Sequence, residues 1–379
     1  MALLRAGAGE TGAAVEHRII DDIYEAAFQP ERWMPVLGEL ADIASLGSGA
    51  RGEGALMLYA DRRPVRFKAA ETLTLSLQEF MAADAWKDSQ LISYFQANPF
   101  TGFVLGSDYY PRELVEQEPV LQANMARGLG PMLGTIIPMP SGELAVMTLH
   151  RLQKDGPYPE GAAARLDGFH PHLARAAFIA ARLGLEHARA AVATLEALGL
   201  PAVVLTAGGR AVVTNALVDT VQQALLPTAF GGIALSHPPA NRLLQEAVAQ
   251  LASRQGAPVC SIPIPASEDA PALVAHVLPL RGSAHDIFAQ GEVLVALTAV
   301  NASMLVPSAS VLTGLFDLTP SEARVATQLA QGQPLRAAAE ACGITFSTAR
   351  SYLEKIFIKT GVRQQSQLVA LLKSAQPLR

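Results

Sequence analysis

The side chains best suited to chemistry lie close together near the end of the chain. Thr348, Arg350, Ser351, Glu354, Lys355, Lys359 and Arg363 are polar and mostly charged, and most recur at spacings that one helix gathers on its outer face. Behind them Ala349, Leu353, Ile356 and Phe357 fall at i, i+4, i+7 and i+8, the pattern of a buried stripe. Cationic side chains on such a face can reach phosphates or base edges of a DNA duplex, whose major groove, about 12 Å wide, admits one helix. Arg350 and Lys355 suit base edges or phosphates, with Thr348 and Ser351 as further contacts. Lys359 and Arg363 suit the phosphate backbone. Glu354 is either an acceptor for a cytosine amino group or a solvated helix residue.

The surrounding residues predict the elements that hold this face. Leu318-Thr-Pro-Ser-Glu322 starts a helix with Thr319 as cap, Pro320 in the first turn and Glu322 closing a capping box. Gly332 stops it. A short helix follows from Pro334 to Cys342, with Ala338, Ala339 and Cys342 inward. Gly343 makes the turn, Ile344 tucks into the core, and Thr345 caps a third helix from Phe346 to Thr360. Gly361 ends that helix, and a fourth runs from about Gln365 to Lys373. The small residues Ala338, Ala339 and Gly343 let the second helix approach the third closely.

Leu318-Thr-Pro-Ser-Glu322, Ala339-Glu340, Gly343-Ile344, Thr348-Ala-Arg350, Ile356-Phe357 and Lys359-Thr-Gly-Val-Arg363 keep register across this segment, and together they resemble the LuxR/GerE-type helix-turn-helix. The resemblance implies that Phe346 to Thr360 is a recognition helix and that Gln365 to Lys373 is a helix through which such domains pair. Ala338, Cys342 and Ala349 stand where larger aliphatics are common, and Tyr352 where His is common. The smaller core this implies would lean on a dimer for stability.

Charge follows the same division. From Leu312 to Arg379 eight Lys/Arg face four acids, a net +4, whereas the rest of the chain carries −9. Only the tail is therefore expected to meet phosphate. The expected class is a DNA-binding transcription regulator, with double-stranded DNA, a second copy of the chain, RNA polymerase and a small-molecule ligand as partners. No apolar run is long enough to cross a membrane, the N-terminus lacks the pattern of a secretion signal, and Cys260 and Cys342 form no disulfide framework. A reducing cytoplasm is expected. No metal or cofactor is expected either: His170 and His172 flank Pro171 without nearby Cys or carboxylates, so a structural role at a helix start is favoured.

The front of the chain reads as alternating helices and hairpins. Helix is expected over 14–46, broken near Pro30 and Pro35, then a loop at 47–54, strands at 54–60 and 65–69 around a turn at 61–64, and helix over 72–98. A hairpin follows at 135–150 and an Ala- and Arg-rich helix at 171–198, suited to an interdomain spine or a dimer seam. Strands at 200–206 and 211–214, Asn215 before a helix, helix at 241–254, and strands at 259–264, 273–280 and 292–300 give the element order of a PAS domain. A linker is expected at 307–312. Ser107-Asp-Tyr-Tyr110, Gly128-Leu-Gly130 with Ile136-Ile137, and Phe169 to Ala176 resemble the GAF-like or PAS-like front of longer LuxR-type regulators.

The chain thus reads as α+β: a GAF/PAS-like sensor domain over 14–185, a PAS-like domain over 190–306, and an all-α four-helix LuxR-type helix-turn-helix over 312–379. Trp33, Trp86, Tyr94, Phe95, Phe100, Tyr109 and Tyr110 are the ligand-pocket candidates, with core packing as the alternative for each. A rival reading makes DNA binding constitutive, with the PAS-like domain docking another protein and no ligand. Enzymatic activity is not expected. No nucleophile elbow or carboxylate pair stands out, the Gly47–Gly54 stretch lacks the Gly-Lys-Ser/Thr ending of a phosphate loop, and Asp21-Asp22 and Asp61 lack the rest of a phosphoacceptor pattern.

Overall fold

The computed structural model describes residues 12–46, 53–60, 63–253, 259–267, 270–280, 287–288, 291–300 and 309–374. In chain order the front half comprises α1 (Gly12–Ala26), α2 (Trp33–Ala44), β1 (Glu53–Ala60), β2 (Arg63–Ala69), α3 (Glu71–Ala82), α4 (Leu91–Ala97) and β3 (Val104–Leu105). It continues with α5 (Gly106–Tyr109), α6 (Arg112–Gln117), α7 (Pro119–Ala126), β4 (Leu129–Pro138), β5 (Leu144–Leu152), α8 (Ala162–Leu166) and α9 (His170–Ala197). The helix expected over 72–98 is broken. Asp84 adopts φ +54° after α3, and Gln90 precedes a separate α4. The break expected at Pro30 is present as a 3₁₀ turn, whereas Pro35 sits in the first turn of α2, where its missing N–H costs nothing. The loop expected at 47–54 and the turn at 61–64 lie largely outside the described residues.

The first sheet is antiparallel, in the order β2-β1-β5-β4-β3. Strand alternation sends its side chains to two cores. Leu56, Leu58, Ala145, Met147 and Leu149 pack with α1, α2, α8 and α9 on one side. Ala55, Met57, Tyr59 and Val146 pack with α3, α4 and α7 on the other.

The central part has β6 (Ala202–Leu205), β7 (Ala211–Thr214), a 3₁₀ turn at Ala216–Val221, and a separate hairpin of β8 (Leu225–Pro227) and β9 (Ile233–Leu235). It continues with α10 (Pro238–Ser253), β10 (Cys260–Ile264), β11 (Leu273–Pro279) and β12 (Val293–Ala299). The second sheet runs β10-β11-β12-β6-β7. Counted within its own unit and leaving out the hairpin, this is the strand order of the first sheet. Helix α10 covers one face, and Ala188 and Val192 of α9 reach the other through Ala202, Val204 and Ala296.

Helix α9 therefore serves both sheets. Its 28 residues span about 42 Å at 1.5 Å per residue. Ala176, Ala177 and Ala180 meet the first core, and Ala188 and Val192 meet the second. Asn215 ties the end of the helix to the second sheet. Its Nδ2 donates to Val192 O and Leu200 O at 3.1 and 2.9 Å, and its Oδ1 accepts from Ala202 N at 3.1 Å.

The C-terminal part contains α11 (Ala309–Phe316), α12 (Pro320–Ala330), α13 (Leu335–Ala341), α14 (Phe346–Thr360) and α15 (Gln365–Ser374). The expected linker at 307–312 is corrected here. Its described residues belong to α11, whose Leu312 is buried against the bundle, so five helices rather than four are present among the described residues.

Candidate nucleic-acid interface and ligand cavity

Local signals set the outer face of α14. Thr319 and Glu322 form the capping box of α12: Thr319 N donates to Glu322 Oε2 at 2.8 Å, and Glu322 N to Thr319 Oγ1 at 3.4 Å. At the end of α13, Gly343 adopts φ +70°, a region open to glycine. Gly343 N bonds Glu340 O and Ile344 N bonds Ala339 O, each at 3.0 Å, the paired closure of a helix end. The chain then turns directly into α14, where Thr345 Oγ1 accepts from Thr348 N at 3.2 Å. Ala349, Leu353 and Ile356 are buried and Phe357 is partly so.

Arg350, Ser351, Glu354 and Lys355 are exposed along α14. Arg350 lies 3.5 Å from Glu354 one turn on. An exposed i,i+4 pair is worth only about 0.3–0.5 kcal/mol, so it leaves the guanidinium available to a phosphate or guanine. Arg363 is exposed beside the N-terminus of α15. The Thr348 hydroxyl is held by Thr345 at 2.8 Å. The Lys359 Nζ donates to Asp317 O at 2.7 Å and Glu322 Oε2 at 2.8 Å. The residue itself is exposed, and these bonds make it a strut between α14 and α12. Burial pushes the Glu322 carboxyl up, but the bonds from Lys359 and Thr319 outweigh that and hold it below the usual carboxylate range. Arg336 of α13 was not among the expected contacts. Its guanidinium lies 5.6 Å from the ring centroid of the half-exposed Phe346 at the head of α14.

The seven aromatic pocket candidates do not form one pocket. Trp33 is fully buried on the α1/α2 side of the first sheet, 5.1 Å from Phe288 between ring centroids. Trp86 is partly buried against the α3/α4/α7-side core, with Arg63 and Lys87 over its ring. Phe95, Phe100, Tyr94, Tyr109 and Tyr110 form one cluster with centroids 4.7–5.6 Å apart, edge to face except for the tilted Tyr94–Tyr110 pair. Of the seven only Tyr110 lines the larger cavity, and Phe100 lines a smaller cleft beside it.

That cavity lies between the first sheet and α3, α4 and α7, has a volume of about 40 Å³ and is partly open to solvent. Met57 and Tyr59 of β1 and Val146, Thr148 and His150 of β5 form its floor, and Leu77, Ile92, Val120 and Asn124 its roof. The period of two along β1 and β5 was the sequence signal for these residues. His150 is buried, with Nε2 3.2 Å from Thr148 Oγ1. Burial pushes its pKa down to about 4. An unfolded His titrates near 6.5, so the unfolded chain binds the extra proton between those values. Stability from this site is complete above about pH 6.5 and is lost as pH falls toward 4, by about 3 kcal/mol in all. Unfolding of His150→Phe by urea at pH 7 and pH 4.5 should show a smaller loss than the parent protein; an equal loss would contradict this.

Tyr59 and Tyr110, also in the lining, have hydroxyls pushed above their usual range by burial. Behind them Glu118 is buried, with Oε2 accepting from Gln90 N at 3.0 Å. Burial raises its carboxyl against the bonds from Ser89 and Gln90.

His170 Nδ1 lies 2.9 Å from Thr135 Oγ1, and His172 Nδ1 lies 3.1 Å from Tyr24 OH. Among the described residues no group of three or more His, Cys, Asp or Glu is placed to hold a metal ion, and no helix is long and apolar enough to cross a membrane.

No family model and no curated protein matches the chain. Among solved structures, Escherichia coli SdiA is similar over 98% of this chain and 95% of its own, at 11% identity and a TM-score of 0.28. SdiA in complex with octanoyl-rac-glycerol is similar over 99% and 93%, at 12% and 0.27. The phage VqmA–DPO complex is similar over 49% and 88%, at 13% and 0.23. At such values these likenesses assign no residue and no ligand here.

Proposed function

We propose that this chain is a DNA-binding transcription regulator in which α14 enters the major groove. The observation that carries the reading is the outer face of α14. Arg350, Ser351 and Lys355 stand exposed on a helix that a capping box, a glycine turn and the Lys359 strut hold from behind. Arg363 and Arg336 flank it and suit the phosphates on either side. The front two units are the sensing part, of GAF/PAS-like type, and respond to a small molecule or a partner. Two copies pair, so that two α14 helices meet half-sites about one DNA turn apart. Binding of the inducing molecule changes that spacing, and contact with RNA polymerase completes the regulator.

Equilibrium titration of DNA flanking the gene, over a salt series, tests this reading. Arg350→Ala and Lys355→Ala are each expected to weaken binding by about 1–3 kcal/mol, and loss of a phosphate contact to lower the salt slope by about one. Unchanged binding in both would remove α14 from the interface.

A second reading has one observation in its favour. Phe230 is 94% exposed at the tip of the β8–β9 hairpin, held at φ +60°. An aromatic presented this way suits docking of another protein by the central unit, with DNA binding constitutive. Phe230→Ser that leaves DNA binding intact but abolishes regulation would favour it.

A further inference from the structure

The cavity on the α3/α4/α7 side of the first sheet carries two polar atoms that the fold does not use. Asn124 Oδ1 and His150 Nδ1 are buried without a hydrogen-bond partner, in side chains only 6% and 3% exposed. Both residues line the cavity, and most of the remaining lining is apolar, with Ala55, Leu73, Leu77, Val120 and Ile136 in it. Buried acceptors in native proteins are almost always satisfied, because an orphan keeps its full desolvation cost. Two in one cavity mark where a bound molecule supplies donors.

We propose that this cavity binds a compact uncharged molecule, a single ring or short chain, whose N–H or O–H groups donate to Asn124 Oδ1 and His150 Nδ1. The proposal rests on the sensing role given above to the front units. His150 is suited to such a ligand. When Nε2–H donates to Thr148 Oγ1, Nδ1 presents a lone pair, and when the Thr148 hydroxyl donates instead, Nδ1–H can donate in turn. Charge is selected against. No Asp, Glu, Lys or Arg lines the cavity, so an ion entering it would lose hydration with no counter-charge. The site also stands where occupation can be felt: β1 and β5 form its floor, and their opposite faces carry the core shared with α9.

The test uses the full chain and matched one-ring probes in thermal unfolding and calorimetry. Benzamide, phenol and indole supply neutral donors. Toluene lacks the donor, benzoate is an anion and benzylamine a cation. At least one neutral donor should raise the melting temperature with concentration, and each control should bind at least tenfold more weakly. No shift with any neutral donor, or equal binding of a control, overturns the proposal.

Asn124→Leu provides the second reading. It removes an orphan acceptor while keeping the volume, so the empty variant should melt about 2 °C higher and lose the probe response at least tenfold. A variant that melts lower and still responds shows that Asn124 serves the fold, and overturns the proposal. DNA titration of the same preparations separates the two claims. Probe binding without DNA binding sinks the regulator and leaves the cavity, whereas DNA binding without any probe response sinks the cavity alone.

Discussion

Lys359→Met is expected to destabilise the C-terminal bundle by about 2 kcal/mol, more than any other substitution on the outer side of α14. Its ammonium is the partner of Glu322, whose side chain is 4% exposed. Removing one member of a buried pair leaves the other charge uncompensated, which costs about 3–5 kcal/mol in a closed interior. The Lys359 side chain is 29% exposed, and water reaching it reduces the figure. Glu322 also closes the capping box through Thr319 N, so disorder of its carboxylate loosens the start of α12 as well. The folded Glu322 carboxyl is held below its unfolded value, so its contribution is present above the unfolded pKa and disappears as pH falls through the folded one. Urea unfolding at neutral and acid pH reads both effects. Arg350→Ala and Lys355→Ala, on the exposed face, should stay within about 0.5 kcal/mol of the parent. Lys359→Met with full stability but a shallower salt dependence of DNA binding would return Lys359 to the phosphate backbone.

Phe288→Ala should cost about 3 kcal/mol and separate the two front units thermally. Phe288 and Ile287 belong to the connection between β11 and β12, yet they are buried in the first core beside Trp33. Truncating a buried Phe costs about 3–5 kcal/mol through lost burial and the cavity left behind. The lower end applies because the surface of a docked segment can relax. Nearby, Arg66 bridges Glu292 at 3.1 Å and Glu143 at 3.6 Å. Burial raises the Glu292 carboxyl while Arg66 draws it down. With Phe288 gone, Ile287, this partly buried bridge and α9 remain among the described residues to join the units. Differential scanning calorimetry should then resolve two transitions where the parent shows one. A single transition at an unchanged temperature would mean that the ring contributes nothing to coupling. The same contact is a physical route by which occupation of the first unit reaches the second, since it changes only if the docked segment moves.

Local chemistry was the legible part of this sequence. Thr319, Pro320 and Glu322 announce the start of α12, and Gly343 and Thr345 the turn into α14, because caps and turns depend on residues within a few positions. The apolar stripe of α14 follows from its own period. Helix α11 was missed because Pro307 suggested a linker, although Leu312, Leu315 and Phe316 carry helical spacing. The aromatic candidates scatter for a different reason. Aromatic type identifies a large apolar side chain but not the face it occupies, so Trp33, in the core on the opposite face of the sheet, was grouped with residues of the other core. Strand alternation separates Met57 and Tyr59 from Leu56 and Leu58, and places Thr148 and His150 on one floor. Lys359 and Phe288 were beyond local reading altogether: each acts on a partner far away in sequence, Lys359 on Glu322 and Phe288 on Trp33.

The central claim is that α14 reads DNA, and selection of bound fragments from a random DNA pool by the full chain, followed by footprinting, tests it most directly. The account predicts enrichment of one sequence, protection of major-groove edges at two half-sites about 10 base pairs apart, and loss of enrichment with Arg350→Ala. A pool that stays random after selection, or a footprint that Arg350→Ala leaves unchanged, would contradict it.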